Sequence, residues 1–166
     1  MRTLVVYGTK SGCTKEIAEA IGAELTAKGA TVDVVAAEQA GDPSGYDSVV
    51  VGSGVRAGNW HASARQWVEH NAAALRERPI ALFSCGLIPA RDPEGVAKGK
   101  AYTDSIVEST GIRPVDVGAF GGWYEPEHFT LVERGVMKVM KVPPGDYRDF
   151  DAVTAWTDGI VTSLSA

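Results

Sequence analysis

The chain has 166 residues, 45% of them apolar and 22% charged, with a formal net charge of −5 at pH 7. That length suits one domain burying roughly two-thirds of its unfolded surface, and no apolar run approaches the ~20 residues of a membrane helix. The acidic balance excludes a broad nucleic-acid footprint, because nothing in the total offsets phosphate repulsion, yet it allows one small anion held by backbone groups.

Residues 1–7 are too short in apolar length for a signal peptide and pass straight into structure, which places the protein in the cytoplasm. Residues 3–7, Thr-Leu-Val-Val-Tyr, form the short β-branched run of a strand buried on both faces. A turn rich in glycine and hydroxyls follows, then a helix over 15–28 with Ile17, Ala18, Ile21 and Leu25 as its apolar stripe and Gly29 as its stop. Strands are expected at 31–36 and 46–52, a helix at 62–75, a fourth strand at 80–85, a helix at 96–110 and a fifth strand at 113–120. Strands alternating with helices imply a doubly wound parallel sheet, since parallel neighbours need a crossover. No linker or repeat divides the chain, so 1–166 reads as a single domain. About thirty residues separate the fifth strand from a last helix at 151–164. They hold Gly121-Gly122-Trp123-Tyr124, an extra helical segment at 127–142 and the turn Pro143-Pro144-Gly145-Asp146. An excursion that long in a compact domain is usually functional.

The turn between the first strand and first helix is Thr9-Lys10-Ser11-Gly12-Cys13-Thr14. In a doubly wound sheet this loop leaves the carboxyl edge beside the point where strand order reverses, where ligands bind. Three hydroxyls can donate to phosphate oxygens, Gly8 and Gly12 let successive N–H groups converge, and the helix start adds about half a positive charge. Other phosphate motifs fail. Gly12 is not followed by Lys-Ser/Thr, and the G-x-G-x-x pattern at Gly52-Ser53-Gly54 sits on the wrong strand without opening a helix.

Strand, T-x-S-G-x-T, helix resembles the FMN-phosphate loop of the flavodoxin family. The third strand runs into Gly54-Val55-Arg56-Ala57-Gly58-Asn59-Trp60-His61 and the fourth into Ser84-Cys85-Gly86-Leu87-Ile88-Pro89, where flavodoxins hold the flavin ring. Arg, then Gly-x-aromatic-His, looks closest to the flavodoxin-fold, menaquinone-dependent protoporphyrinogen IX dehydrogenases. The resemblance covers nearly the whole chain. It implies a five-stranded sheet in the order 2-1-3-4-5. It further implies FMN as cofactor, with Thr9, Ser11, Gly12 and Thr14 on its phosphate and Lys10 and Cys13 giving mainly backbone N–H groups. Val55, Arg56, Gly58, Asn59 and Trp60 would flank the ring, and Ser84, Cys85, Gly86 and Leu87 would meet its edge.

For individual residues two readings stand side by side. Trp60 offers a ligand a large π-face or simply fills core. Arg56 contacts an anionic ligand or pairs with an acid. His61 moves protons or caps a helix. Cys13, at a helix start, is a nucleophile or a small side chain fitting a tight loop. Cys13 and Cys85 are expected to be free thiols, too far apart to bridge, because the first and fourth strands lie two spacings, about 10 Å, apart. His61, His70 and His128 lack metal-ligand spacing with one another or with either cysteine, so no metal is expected. Within 127–142, Phe129, Val132, Val136, Val139 and Met140 share an apolar face beside Arg134, Lys138 and Lys141. That pattern suits a lid over an apolar substrate, a peripheral contact with an anionic membrane holding quinone, or a helix packed on the sheet. The functional expectation is an FMN-dependent oxidoreductase passing electrons from a porphyrinogen or similar substrate to a quinone. The alternative is a one-electron carrier between protein partners, and a third reading is an interaction module without cofactor.

Overall fold

Val5, Val6, Val49, Val50, Val51, Ala81, Leu82 and Phe83 are wholly buried, as strands are when helices cover both faces of a parallel sheet. The computed structural model describes residues 1–87 and 93–166. In it β1 (Arg2–Gly8) leads to α1 (Cys13–Ala27), β2 (Thr31–Ala36) and β3 (Ser48–Arg56). A short β4 (Asn59–Trp60) is followed by α2 (Ala62–His70), α3 (Ala72–Leu75) and β5 (Ile80–Gly86), then by α4 (Pro93–Ala101), α5 (Asp104–Thr110) and β6 (Val117–Gly121). The sheet runs β2-β1-β3-β5-β6, every neighbouring pair parallel. Counting long strands only, this is the expected order 2-1-3-4-5.

The excursion after β6 holds β7 (Trp123–Tyr124), α6 (Leu131–Val139) and β8 (Gly145–Asp146), and α7 (Phe150–Leu164) ends the chain. On one face α1 and α7 pack Ile17, Ile21, Ile160 and Leu164 against Val5 and Phe83. On the other, Ala64, Trp67 and Val68 of α2 and Ile106 of α5 cover Leu4, Val6, Val49 and Leu82.

The fifth strand, expected at 113–120, starts only at Val117, beyond Pro114, which has no N–H to give a ladder. Four further local differences from the expected elements have physical causes. The helix at 62–75 breaks at Asn71, whose side-chain amide donates to the Trp67 carbonyl at 2.9 Å in competition with the backbone. The helix at 96–110 breaks beside Thr103, whose hydroxyl donates to the Lys100 carbonyl at 2.8 Å. β3 runs past residue 52 and reverses through Ala57 and Gly58, at φ 49° and 77°, into β4. Two successive left-handed residues make the tight hairpin turn that matches strand twist. The helix expected over 127–142 shrinks to α6, which starts at a capping box: Thr130 accepts from the Glu133 amide, and Glu133 accepts from the Thr130 amide at 2.7 Å. Its two flanks are pinned together by antiparallel β7 and β8.

Candidate functional site

Gly8 ends β1 so close to α2 that a Cβ there would lie 2.8 Å from that of Ala64. The chain then curls through Thr9, Lys10 and Ser11 to Gly12, which takes a left-handed φ of 90° and opens α1. The Gly12 amide donates to the Thr9 hydroxyl oxygen at 3.0 Å, closing the loop into a ring. Cys13 and Thr14 are buried just beyond.

This loop floors a cleft of about 450 Å³, within the range of small-molecule sites. The β3–β4 hairpin, the end of β5 and the segment from Gly122 to Val142 supply its walls. Thr9, Lys10, Ser11, Cys13 and Thr14 line it, as do Val55, Arg56, Gly58, Asn59 and Trp60, and Ser84, Cys85, Gly86 and Leu87. Gly12 is the one expected site residue that does not line the cleft; it sets the loop's curvature. Ile88 and Pro89 lie outside the described residues, with Arg91 and Asp92. Tyr102, Gly122, Trp123 and Met137 are lining residues beyond those expected as cofactor contacts. Trp123 stood out in the sequence by size, whereas nothing in its local pattern marks Tyr102.

Among the described residues, two groups in the walls lack partners. The indole Nε1 atoms of Trp60 and Trp123 are buried with no hydrogen-bond acceptor in reach. A buried donor left unpaired costs about 1–3 kcal/mol, and both side chains border the cleft, so the site suits a flat ligand that carries acceptor atoms. Trp123 is fixed on both sides. A Cβ on Gly12 would meet its ring at 3.8 Å, and the Arg148 guanidinium lies 4.4 Å from the ring centroid. The Asp146 carboxylate, 2.7 Å away, and a further ion pair with Glu16 raise the Arg148 pKa and keep it charged.

Several candidate side chains are committed within the fold. Arg56 Nη1 donates to the His128 carbonyl at 3.0 Å, pairs with Glu133 at 3.3 Å, and its guanidinium sits 4.2 Å from the Phe129 centroid. Arg56 thus pairs with an acid, one of its two readings, and ties the hairpin to α6 while still lining the cleft. His61 precedes α2, its amide donating to Ser53 Oγ at 2.7 Å and its Nδ1 lying 2.8 Å from Ser63 Oγ. The Ser84 hydroxyl donates to the Gly99 carbonyl at 2.7 Å, leaving backbone atoms of this strand end to face the cleft. Glu125, Glu127 and His128 bring one ligand atom each to within 4.8 Å of one another on the exposed surface, a grouping the histidine and cysteine spacings did not announce.

Segment α6 overhangs the cleft with Val132, Val136, Met137 and Met140 among its lining. Val139 was expected on this apolar face. The least exposed stripe is instead Glu133, Met137 and Met140; Val136 and Val132 line the cleft while 47% and 78% exposed, and Val139, 83% exposed like Leu131 at 82%, does not line it. The Thr130 amide, with help from Arg56, holds the Glu133 carboxyl below its ordinary value. A lowered native pKa stabilises docking above the unfolded value of about 4.3 and loses that contribution as pH falls through the native value. Hydrogen exchange of α6 amides, corrected for intrinsic rates, should therefore show protection at pH 7 that is lost below about pH 4. Equal protection at pH 7 and pH 3 would contradict this clamp.

The two thiols overturn the expected separation. Cys13 Sγ and Cys85 Sγ lie 3.4 Å apart, both buried. Strand spacing misled because Cys13 belongs to the first turn of α1 and not to β1. Gly54 is the β3 neighbour of Cys85 and has no side chain to hold that turn away; a Cβ there would come within 3.1 Å of Thr14 Oγ1.

Among the described residues, no helix is long and apolar enough to cross a membrane. The profile of a flavodoxin domain matches residues 4–151. A protoporphyrinogen IX dehydrogenase (quinone) of Escherichia coli strain K12 is 25% identical over 160 residues, covering 95% of this chain and 88% of that protein. A protein of the same name from Leishmania major is 27% identical over 151 residues, covering 87% of this chain and 64% of its own length. An archaeal flavodoxin structure superposes with a TM-score of 0.65 at 17% identity, covering 100% of both chains.

Proposed function

We propose, from the premise that the chain belongs to the flavodoxin family, that it is an FMN-dependent oxidoreductase oxidising a porphyrinogen or similar flat apolar substrate with a quinone as acceptor. The observation that carries this reading is the cleft itself: a hydroxyl-rich loop at its floor, two unpartnered indole donors in its walls and an apolar helix above. Thr9, Ser11 and Thr14, with the amides of Lys10 and Cys13 and the α1 dipole, suit the phosphate of FMN. Trp60, 6% exposed, and the hairpin would border its ring, and the end of β5 would meet the ring edge. When bound, FMN supplies the hydride and electron chemistry, and the protein supplies binding, orientation and electrostatics.

The inner face of α6 gives an apolar substrate somewhere to lie and keeps water from the reacting face. On its outer side Leu131 and Val139 stand exposed beside Arg134, Lys138 and Lys141. That composition fits peripheral contact, from the cytoplasmic side, with an anionic bilayer in which quinone dissolves. The names of the quinone-dependent relatives support this substrate class. The net charge of −5 favours the second reading, a carrier docking on basic partners.

The test is FMN titration followed by steady-state oxidation of protoporphyrinogen with a menaquinone analogue. The Val132→Asp/Val136→Asp double variant should lose about tenfold or more in kcat/KM while FMN affinity stays within roughly threefold, because the removed surface meets substrate and not phosphate. Absence of turnover with any porphyrinogen, together with two widely separated one-electron steps in a reductive titration, would establish the carrier instead.

A further inference from the structure

Cys13 and Cys85 lie 72 residues apart in sequence yet place their sulfur atoms 3.4 Å from each other at the floor of the cleft. Closing this to the ~2 Å of a disulfide requires the sulfurs to approach by little more than an ångström. Gly122 lies over the pair, where a Cβ would come to 3.3 Å from Cys85 Sγ and 3.4 Å from Cys13 Sγ. The two residues are 5% and 4% exposed, and the cleft they line is the way to them. We propose that Cys13 and Cys85 are a reversible dithiol–disulfide pair, oxidised by a peroxide small enough to enter the cleft and shielded when the cleft is filled.

The pair divides the roles that such chemistry needs. A hydrogen bond from the Cys85 thiol, with help from the Trp123 amide and the Arg148 charge, lowers the Cys13 pKa against the opposing effect of burial. Cys85, deeper, is pushed well above the ordinary thiol range by its neighbour and by burial. Cys13 is thus the attacking sulfur and Cys85 the resolving one. The Cys13 thiolate attacks one peroxide oxygen, the O–O bond breaks, and with one proton taken up the products are a sulfenic acid and water. The Cys85 sulfur then attacks the Cys13 sulfur, the S–O bond breaks, and the Cys85 proton leaves with the hydroxyl as a second water. Overall two protein thiols lose two electrons, and one hydrogen peroxide becomes two waters. A small dithiol returns the pair to thiols by exchange.

Intact and peptide mass spectrometry of the full-length protein, without added flavin, tests the pair. Treatment with hydrogen peroxide should remove 2 Da, yield a peptide joining Cys13 to Cys85, and be reversed by dithiothreitol. Cys85→Ser should instead gain oxygen at Cys13, and Cys13→Ser should stay unchanged. Oxygen added to wild-type Cys13 without a cross-link, or no reaction, overturns the proposal. Shielding by FMN rests on the function proposed above. At saturating FMN, with binding monitored by flavin fluorescence, cross-linking should slow at least tenfold, and an unchanged rate with flavin bound overturns the shielding. A protein that cross-links but never binds FMN would refute the flavin reading and leave the thiol pair intact.

Discussion

Gly12→Val should raise the Kd for FMN about 100-fold while changing that for riboflavin, which lacks the phosphate, less than about threefold; losing one or two hydrogen bonds to a charged group, at roughly 1.5–3 kcal/mol each, accounts for such a difference. The effect is conformational and not steric. A side chain at position 12 would meet only the Trp123 ring, at an ordinary 3.8 Å, but φ of 90° is a conformation β-branched residues scarcely adopt. The variant relieves the strain by turning position 12 back, which breaks the hydrogen bond from its N–H to the Thr9 hydroxyl and swings the following N–H groups away from the anion. Gly12→Asn, which tolerates left-handed backbone, should fall between the two. Fluorescence-quenching titrations with both ligands make the comparison. Equal losses for FMN and riboflavin would show that the loop does not hold a phosphate.

Gly52→Ala should destabilise the fold by about 3 kcal/mol, at the upper end of ordinary overpacking, and lower Tm by roughly 6–12 °C for a chain of this size. Gly52 on β3 pairs with Phe83 on β5, whose ring leans over it: a Cβ at position 52 would sit 1.9 Å from Cζ of that ring. The ring cannot step aside, being wholly buried with Phe120 and Trp156 at centroid distances of 5.9 and 6.3 Å. Shortening it should help. Phe83→Leu is expected to destabilise by itself, yet Gly52→Ala/Phe83→Leu should be more stable than the sum of the two by about 1 kcal/mol or more, as residues sharing one cavity couple. Strict additivity in thermal or urea unfolding would show that the two positions do not compete for the same space.

β1 and β3 were legible because valine-rich runs buried on both faces have few other uses, and the loop after β1 because hydroxyls and glycine crowd one strand-to-helix turn. The start of α1 was harder. Gly12 precedes it without a side-chain cap, so the usual Ser/Thr signal was missing and the helix begins two residues before the expected 15. The β3–β4 hairpin escaped because its turn is Ala57-Gly58 and not the Asn-Gly or Asp-Gly that announces such turns. Arg56 could be narrowed only to two roles, since the acid that holds it, Glu133, is 77 residues away. The meeting of Cys13 with Cys85 depends on a helix passing over Gly54, a close approach that no local pattern encodes.

The short ladder of Trp123 with Asp146 and Tyr124 with Gly145, reinforced by the Tyr147 amide donating to the Gly122 carbonyl at 2.9 Å, buckles residues 125–144 at their base like the neck of a pouch. Length added inside a loop whose ends are already joined costs the rest of the fold little, about 0.6 kcal/mol per doubling. The pouch can therefore be lengthened, trimmed or exchanged while the sheet and its anion loop stay as they are. On the function proposed above, selectivity for what lies above the cleft and affinity for what lies at its floor would reside in separately replaceable parts of one chain.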